Sequence, residues 1–184
     1  KGKIALEMIE ESKYKTILKK SFQNMDELTN ELLQIERLNA NKINFDFQNY
    51  TIETILAETF SKMILEEEQI DLLQEDSFQI DADINFMSIA LKNLIDNGLK
   101  YNDFTQNKKI LISVTNKKIS IASSGEKLTK PLDFYTDTFT KDDNSRSNLG
   151  YGLGLNIVKR ILDIHHFKLE YHYENRLNIF SIRF

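Results

Sequence analysis

Hydrophobic positions recur at spacings of three and four early in the chain: Leu18, Phe22, Met25, Leu28, Leu32, Ile35 and Leu38, with Lys, Glu, Gln and Asn between them. This period predicts one long helix, Lys15–Asn39, carrying a single apolar seam. A shorter pattern with Ile4, Met8 and Ile9 precedes it, breaks around Glu11–Lys13, and predicts a helix over Lys1–Glu11. A helix of ~23 residues is over ~30 Å long, so the short segment cannot cover its stripe. The simplest arrangement is a helical hairpin that pairs with a second copy into a four-helix bundle. The alternative is a helix packed on its own domain.

After Asn39-Ala-Asn41 the pattern changes to alternation at Ile43, Phe45 and Phe47, which predicts a strand, followed by a helix from Thr51 to about Leu65. Short strands near Ile70–Leu73 and Phe78–Ile80 lead to a helix at Ile84–Tyr101. The runs Ile110–Val114 and Ile119–Ala122 form a hairpin through Asn116-Lys117. Gly125–Leu149 is polar, contains the only proline, Pro131, and has no clear period. Loops of that length act as lids or binding segments, or are disordered. The helix Leu155–Ile164 and a hairpin of Lys168–Tyr173 with Asn178–Phe184 close the chain. The expected class is α+β, with a helical segment over residues 1–40 and a second domain over 41–184.

An apolar share of 41% is enough for a real core. The net charge of −4, with Lys and Arg scattered among carboxylates, provides no basic stripe and disfavours nucleic acid. Without cysteine there is no disulfide framework and no thiolate metal site. No apolar run approaches the ~18 residues needed to span a bilayer. A cytoplasmic location is therefore the default. The first residue is Lys, so the chain reads as part of a longer protein.

Two segments carry chemistry. Gly150, Gly152 and Gly154, half of the six glycines, fall directly ahead of the Leu155–Ile164 helix. Glycine lets backbone amides approach an anion, and a helix N-terminus supplies unpaired N–H groups and a positive dipole end. A simple turn is the competing explanation. No dinucleotide fingerprint fits, because Lys141–Asn148 is polar and Leu155 stands at the third position, and no GxxxxGK[ST] occurs. The second segment is Leu91–Tyr101, where Asn93 and Asn97 are four apart and Lys100 and Tyr101 share their side of the helix. Asparagine is a poor helix-interior residue, so the pair invites a reason beyond a solvated face. Amide oxygens suit Mg²⁺, and Lys100 stands one turn on to meet a phosphate.

The run Asn93-Leu-Ile-Asp-Asn97-Gly-Leu-Lys100-Tyr101 resembles the N box of bacterial sensor histidine kinases, and Gly150-Tyr-Gly-Leu-Gly-Leu-Asn-Ile-Val158 is similar to their second glycine box. The resemblance covers about Ile43–Phe184, and Lys1–Asn39 resembles the end of their dimerisation and phosphotransfer bundle, lacking the acceptor histidine. It implies the nucleotide-binding fold shared with DNA gyrase, Hsp90 and MutL: an α/β sandwich in which a mixed sheet backs three helices, with ATP between the N-box helix and a lid at about 125–150. By position, Asn97 would hold Mg²⁺ with Asn93 as second ligand or water partner, Lys100 would reach phosphate, and Tyr101 would line the ribose or phosphate side. Gly150, Gly152, Leu153 and Gly154 would close on the triphosphate, and Arg146 would touch the terminal phosphate. Ser123 and Gly125 would stand at the base.

The departures are equally specific. The family's first glycine box reads DxGxG, its aspartate accepting from the adenine amino group, whereas the matching stretch is Ser123-Ser-Gly125-Glu-Lys127. The neutral, shorter serine would weaken adenine binding by ~1–2 kcal/mol. The lid's FxPF sequence reduces to Phe139, and a threonine that many relatives place near adenine would fall at Ile179.

The only histidines are His165, His166 and His172, past the second glycine box, so the acceptor histidine of the resembling kinases would lie upstream. The implied function is Mg-ATP-dependent phosphoryl transfer to that histidine, for relay to a response-regulator aspartate, in a homodimer formed by the N-terminal helices. Any membrane contact would be made by an upstream portion, anchored in the inner membrane. Two rivals are a serine-kinase anti-sigma factor on the same fold and a dimerisation scaffold with an impaired nucleotide site.

Overall fold

The computed structural model describes residues 13–39, 44–63, 69–106, 109–137 and 152–184. The expected helix Lys1–Glu11 and Ile43 lie outside them. Helix α1 spans Lys13–Asn39. It is followed by β1 (Gln48–Thr51), α2 (Ile52–Ser61), β2 (Ile70–Gln74), β3 (Gln79–Ala82) and α3 (Ile84–Tyr101). Strands β4 (Ile110–Thr115) and β5 (Lys118–Ser124), helices α4 (Leu132–Thr136) and α5 (Gly154–Ile164), and strands β6 (Lys168–Glu174) and β7 (Leu177–Arg183) complete the order.

A five-stranded mixed sheet, ordered β2-β4-β5-β7-β6, is parallel only between β2 and β4, which α3 connects across the sheet; β1 and β3 form a separate antiparallel pair. Two-residue turns with left-handed backbone at Asn116-Lys117 and Asn175-Arg176 close the two hairpins, as right-handed strand twist requires. One face of the sheet carries Ile110, Ile112, Ile119, Ile121 and Ile182 into a core shared with α2, α3 and α5. The other face is mostly polar and carries the Ser120–Ser181 hydroxyl pair at 2.8 Å and the Arg183–Glu170 ion pair at 3.0 Å. The expected sandwich of a mixed sheet backing three helices is therefore present.

Three expectations shift. Phe45 and Phe47 alternate as in a strand, yet the ladder begins at Gln48. Their rings pack instead against Phe86 at 4.8 Å and His165 at 4.9 Å between centroids. The helix after β1 ends at Ser61, earlier than Leu65. The polar stretch after Gly125 contains the one-turn α4, whose Tyr135 and Thr136 are buried.

Helix α3 starts where Asp83 caps it, one carboxylate oxygen accepting from Asn85 N (3.0 Å) and Phe86 N (3.2 Å) and the other from Asp46 N (3.0 Å). The Asp83 N–H donates to Nε2 of buried His165 at 3.1 Å, and His165 Nδ1 lies 2.7 Å from the Ile161 carbonyl oxygen. Both ring nitrogens are thus used by a neutral imidazole with the proton on Nδ1. Midway along α3, Gly98 lets the helix press on the sheet: a Cβ there would meet Ile121 Cγ2 at 3.1 Å and Ile110 Cδ1 at 3.3 Å. The end of α1 rests on this unit through Ile35 and Leu38, beside a cavity of about 130 Å³ lined by Arg37, Phe86, Ile89 and Ile161 among others. Much of the α1 stripe stays open, with Met25 61%, Leu18 43% and Leu32 43% exposed.

Two outcomes follow from this packing. Gly98→Val overfills the helix–sheet contact and destabilises by about 1–3 kcal/mol, read as a lower urea midpoint. Burial lowers the pKa of His165, opposed by its bond to Ile161 and by Asp83 and reinforced by His166. Because the folded pKa is depressed, the stability contribution of neutral His165 is complete above the unfolded value of about 6.5 and is lost as pH falls below it. The loss is at most ~1.4 kcal/mol per pH unit until the folded pKa is passed. Urea midpoints at pH 7.5 and 5.5 should differ more for the parent chain than for His165→Asn.

Candidate functional site

Helix α3 is apolar on the side that meets the sheet, through Met87, Leu91, Leu94 and Ile95, which leaves Asn93 and Asn97 on another side, toward α5. The first residue of α5 is Gly154, and a Cβ there would lie 3.1 Å from Asn93 Oδ1, 3.6 Å from Asn97 Nδ2 and 3.8 Å from Asn97 Oδ1. The Asn93 Nδ2 donates to the Ile89 carbonyl at 2.9 Å, which fixes its oxygen toward Gly154. Thus the two carboxamides and the glycine corner, 57 residues apart between Asn97 and Gly154, meet face to face.

The N-terminus of α5 has no side-chain cap, since its N-cap residue is the fully buried Leu153. The first intrahelical bond is Ile157 N to Leu153 O at 2.9 Å, so the preceding N–H groups have no acceptor within the helix. Just before it, Gly152 has φ +76°, a left-handed conformation that side chains resist. Uncapped amides opposite amide oxygens suit an anion whose charge is shared with a hard cation. Among the described residues no three His, Cys, Asp or Glu side chains form a metal-binding group.

From Asn93 to Tyr101 is eight residues, ~12 Å along a helix axis, the scale of a nucleoside triphosphate. At the far end, Lys100 Nζ stands 5.4 Å from the centre of the Tyr101 ring. Burial first, and then the negative charge of Glu31 on α1, raise the Tyr101 phenol above its ordinary pKa. A Cβ on Gly125 would meet the Tyr101 carbonyl oxygen at 3.2 Å, so the end of β5 comes close beneath the last turn of α3. Ser123 is buried there. Of the sequence candidates, Asn93, Asn97 and Gly154 are in contact, Gly152 and Leu153 flank them, and Lys100, Tyr101, Ser123 and Gly125 lie toward the far end of α3. Arg146 and Gly150 lie outside the described residues, as does Phe139.

The threonine-like position is corrected by one residue. Ile179 pairs with Ala122 and faces away from the helices, whereas Asn178 pairs with Ser123 on the inner face. Asn178 Oδ1 accepts from Tyr171 Oη (2.7 Å) and its Nδ2 donates to the Glu126 carbonyl (3.1 Å). Tyr171 Oη also accepts from Leu128 N (3.1 Å), and Tyr173 Oη donates to the Gly125 carbonyl (3.3 Å). The segment after Ser124 is therefore held by side chains of the β6–β7 hairpin. Sequence reading also passed over Asn156, whose Nδ2 donates to the Thr136 carbonyl (2.7 Å) while its Oδ1 accepts from Arg160 Nε (2.8 Å), tying α5 to α4. Its signal was a lone amide within an apolar helix face.

Residues 82–183 match the family described as histidine kinase-, DNA gyrase B-, and HSP90-like ATPase. The sensor histidine kinase ArsS of Helicobacter pylori is 25% identical over 184 residues, 99% of this chain and 42% of that protein. The sensor histidine kinase HprS of Escherichia coli is 31% identical over 171 residues, 87% of this chain and 36% of that protein. The chain thus spans less than half the length of these curated relatives. Among solved structures, full-length ShkA in complex with AMPPNP superposes with a TM-score of 0.70 at 22% identity, covering 92% of this chain and 37% of that one. The histidine kinase AdeS of Acinetobacter baumannii has a TM-score of 0.66 at 17% identity, covering 95% and 85%. Fold, motifs and matched span agree: the chain belongs to the histidine kinase-, gyrase B- and HSP90-like ATPase family and carries the ATPase domain of a bacterial sensor histidine kinase.

Proposed function

We propose that this chain binds Mg-ATP and delivers the γ-phosphoryl group to a histidine upstream of residue 1, for onward relay to the aspartate of a response-regulator receiver domain. The observation that carries the reading is the apposition of Asn93 and Asn97 with the uncapped N-terminus of α5 at Gly154. Mg²⁺, when bound, screens charge on the transferring phosphoryl group. In this reading Asn97 holds the cation and Asn93 supports it, while the α5 amides and Lys100 bind phosphate oxygens. Tyr101 lines the ribose side. Arg146 and Gly150 take the roles that the motif resemblance implies. Phosphoryl transfer asks a protein mainly for positioning and charge neutralisation, which are the properties of this corner.

We further infer a homodimer through residues 1–40. The open apolar stripe of α1, with Leu18, Met25 and Leu32 exposed while Ile35 and Leu38 pack on the catalytic unit, supports it. Among the described residues no helix is long and apolar enough to cross a membrane. The cytoplasm is the compartment this reading requires, because ATP and the receiver domain are there.

A second reading, a dimerisation scaffold that no longer binds nucleotide, is favoured by Ser123 and Lys127 in place of the family's Asp and Gly. Calorimetry of Mg-ATP on the folded chain separates the two: heat of binding supports the kinase, and its absence supports the scaffold. Asn97→Ala should weaken magnesium-dependent binding ~10–100-fold, in line with ~1.5–3 kcal/mol for a contact to a charged group, with unchanged far-UV circular dichroism. Incubated with radiolabelled ATP, the 184-residue chain alone should acquire no acid-labile phosphate, because His165, His166 and His172 are not acceptors in this reading.

A further inference from the structure

The base end of the site differs in chemistry from its phosphate end. Ser123 is 5% exposed and lies on the inner face of β5, two residues beyond Ile121, whose Cγ2 would stand 3.1 Å from a Cβ on Gly98. That places it under the last turns of α3, just before the close approach of Gly125 to the Tyr101 carbonyl. Among the described residues its hydroxyl has no hydrogen-bond partner, and its oxygen is not sealed from solvent, so it can bond water or a ligand. Its neighbours are committed. Ser124 donates its backbone N–H and its hydroxyl to Asn102 Oδ1, each at 2.8 Å, and both ends of the Asn178 amide are bonded to Tyr171 and Glu126.

Asp103, just after α3, is engaged within its own turn. Asp103 Oδ1 accepts from Thr105 N (3.0 Å) and Thr105 Oγ1 (2.6 Å), and its Oδ2 accepts from Gln106 Nε2 (2.7 Å). At the end of β5 the side chain on the inner face is thus a neutral hydroxyl, that of Ser123. The difference from the family's aspartate is qualitative, because an ionised carboxylate only accepts hydrogen bonds, whereas a serine hydroxyl rotates to donate or to accept. A carboxylate demands an exocyclic amine and repels a carbonyl oxygen. A hydroxyl satisfies either.

We propose that Ser123 makes the base site permissive, so that the chain binds 6-oxopurine nucleoside triphosphates as well as 6-aminopurine ones. The inference rests on the nucleotide-binding reading above and concerns only the base. Inosine triphosphate is the probe, since its base presents a carbonyl where adenine presents an amine and adds no 2-amino group.

The test is calorimetric titration of the whole chain with Mg-ATP and with Mg-ITP, for the parent and for Ser123→Asp. The expected result is a dissociation constant for Mg-ITP within tenfold of that for Mg-ATP in the parent, and a widening of that ratio by at least tenfold in Ser123→Asp. If Ser123→Asp does not fold, Ser123→Ala serves, with both nucleotides weakened by the same few-fold factor. Binding of Mg-ATP with Mg-ITP more than tenfold weaker in the parent overturns the inference and leaves the kinase reading intact. An unchanged ratio in a folded Ser123→Asp, or unchanged affinities in Ser123→Ala, overturns it as well. Binding of neither nucleotide by the folded parent chain overturns both.

Discussion

Two absent methyl groups fix where α3 lies. On one side Gly98 lets the helix drop onto Ile121 and Ile110 of the sheet, and across from it Gly154 lets the start of α5 come up against Asn93 and Asn97. A side chain at either glycine would press on the neighbouring side chains, Ile121 and Ile110 at one and Asn93 at the other. At Gly98 the gain is dense apolar packing over the sheet. At Gly154 it is the placement of unpaired backbone amides within reach of two carboxamides. The functional corner is thus a by-product of how closely three elements pack, and the carboxamides are aimed by the helix that the core holds.

Rotation of α3 about its own axis would turn the Asn face away from α5, so the ends of the helix matter as much as its middle. At the start, Asp83 caps the helix, bonds the incoming chain at Asp46 and donates its N–H to His165 at the end of α5. At the exit, the Asn102 side chain accepts from Ser124, and the Asp103 N–H donates to the Ser124 carbonyl at 3.0 Å, fastening the helix to the end of β5. These polar bonds contribute little net stability individually, about 1 kcal/mol, but they are directional where the apolar core is not. They set the register of the helix, and the core supplies the adhesion.

Local signals in the sequence located most of this. The helix at about Ile84–Tyr101 was legible from the apolar spacing of Leu91, Leu94, Ile95 and Leu99. The hairpins were legible as paired β runs, the first of them around the Asn116-Lys117 turn. What failed depended on contacts distant in sequence. Phe45 and Phe47 alternate correctly for a strand, but aromatic partners on α3 and after α5 claimed them before any ladder formed. Ile179 was off by one position, and in a strand one position is a change of face, so Asn178 went unnoticed. His165 and Asn156 read as ordinary helix residues until Asp83 and Thr136 arrive from elsewhere in the chain.

The two ends of the site are built from different materials, and this explains why the chain can depart from the family pattern at one of them. The end proposed for phosphate consists of backbone amides, glycines and helix-borne carboxamides, where a Cβ on Gly154 would press on Asn93 Oδ1 at 3.1 Å. At the base end, the strand leaving Ser124 is held by Tyr171, Tyr173 and Asn178 reaching across from the last hairpin. Such a clamp grips the main chain of Gly125, Glu126 and Leu128 without reading their side chains, so Lys127 is tolerated where the family has glycine. Ser123 can likewise stand for an aspartate without disturbing α3, because the bonds that anchor the end of that helix run through its neighbour Ser124. In the proposed reading, phosphate geometry and base chemistry are thereby separable, the first constrained by packing and the second by the Ser123 hydroxyl.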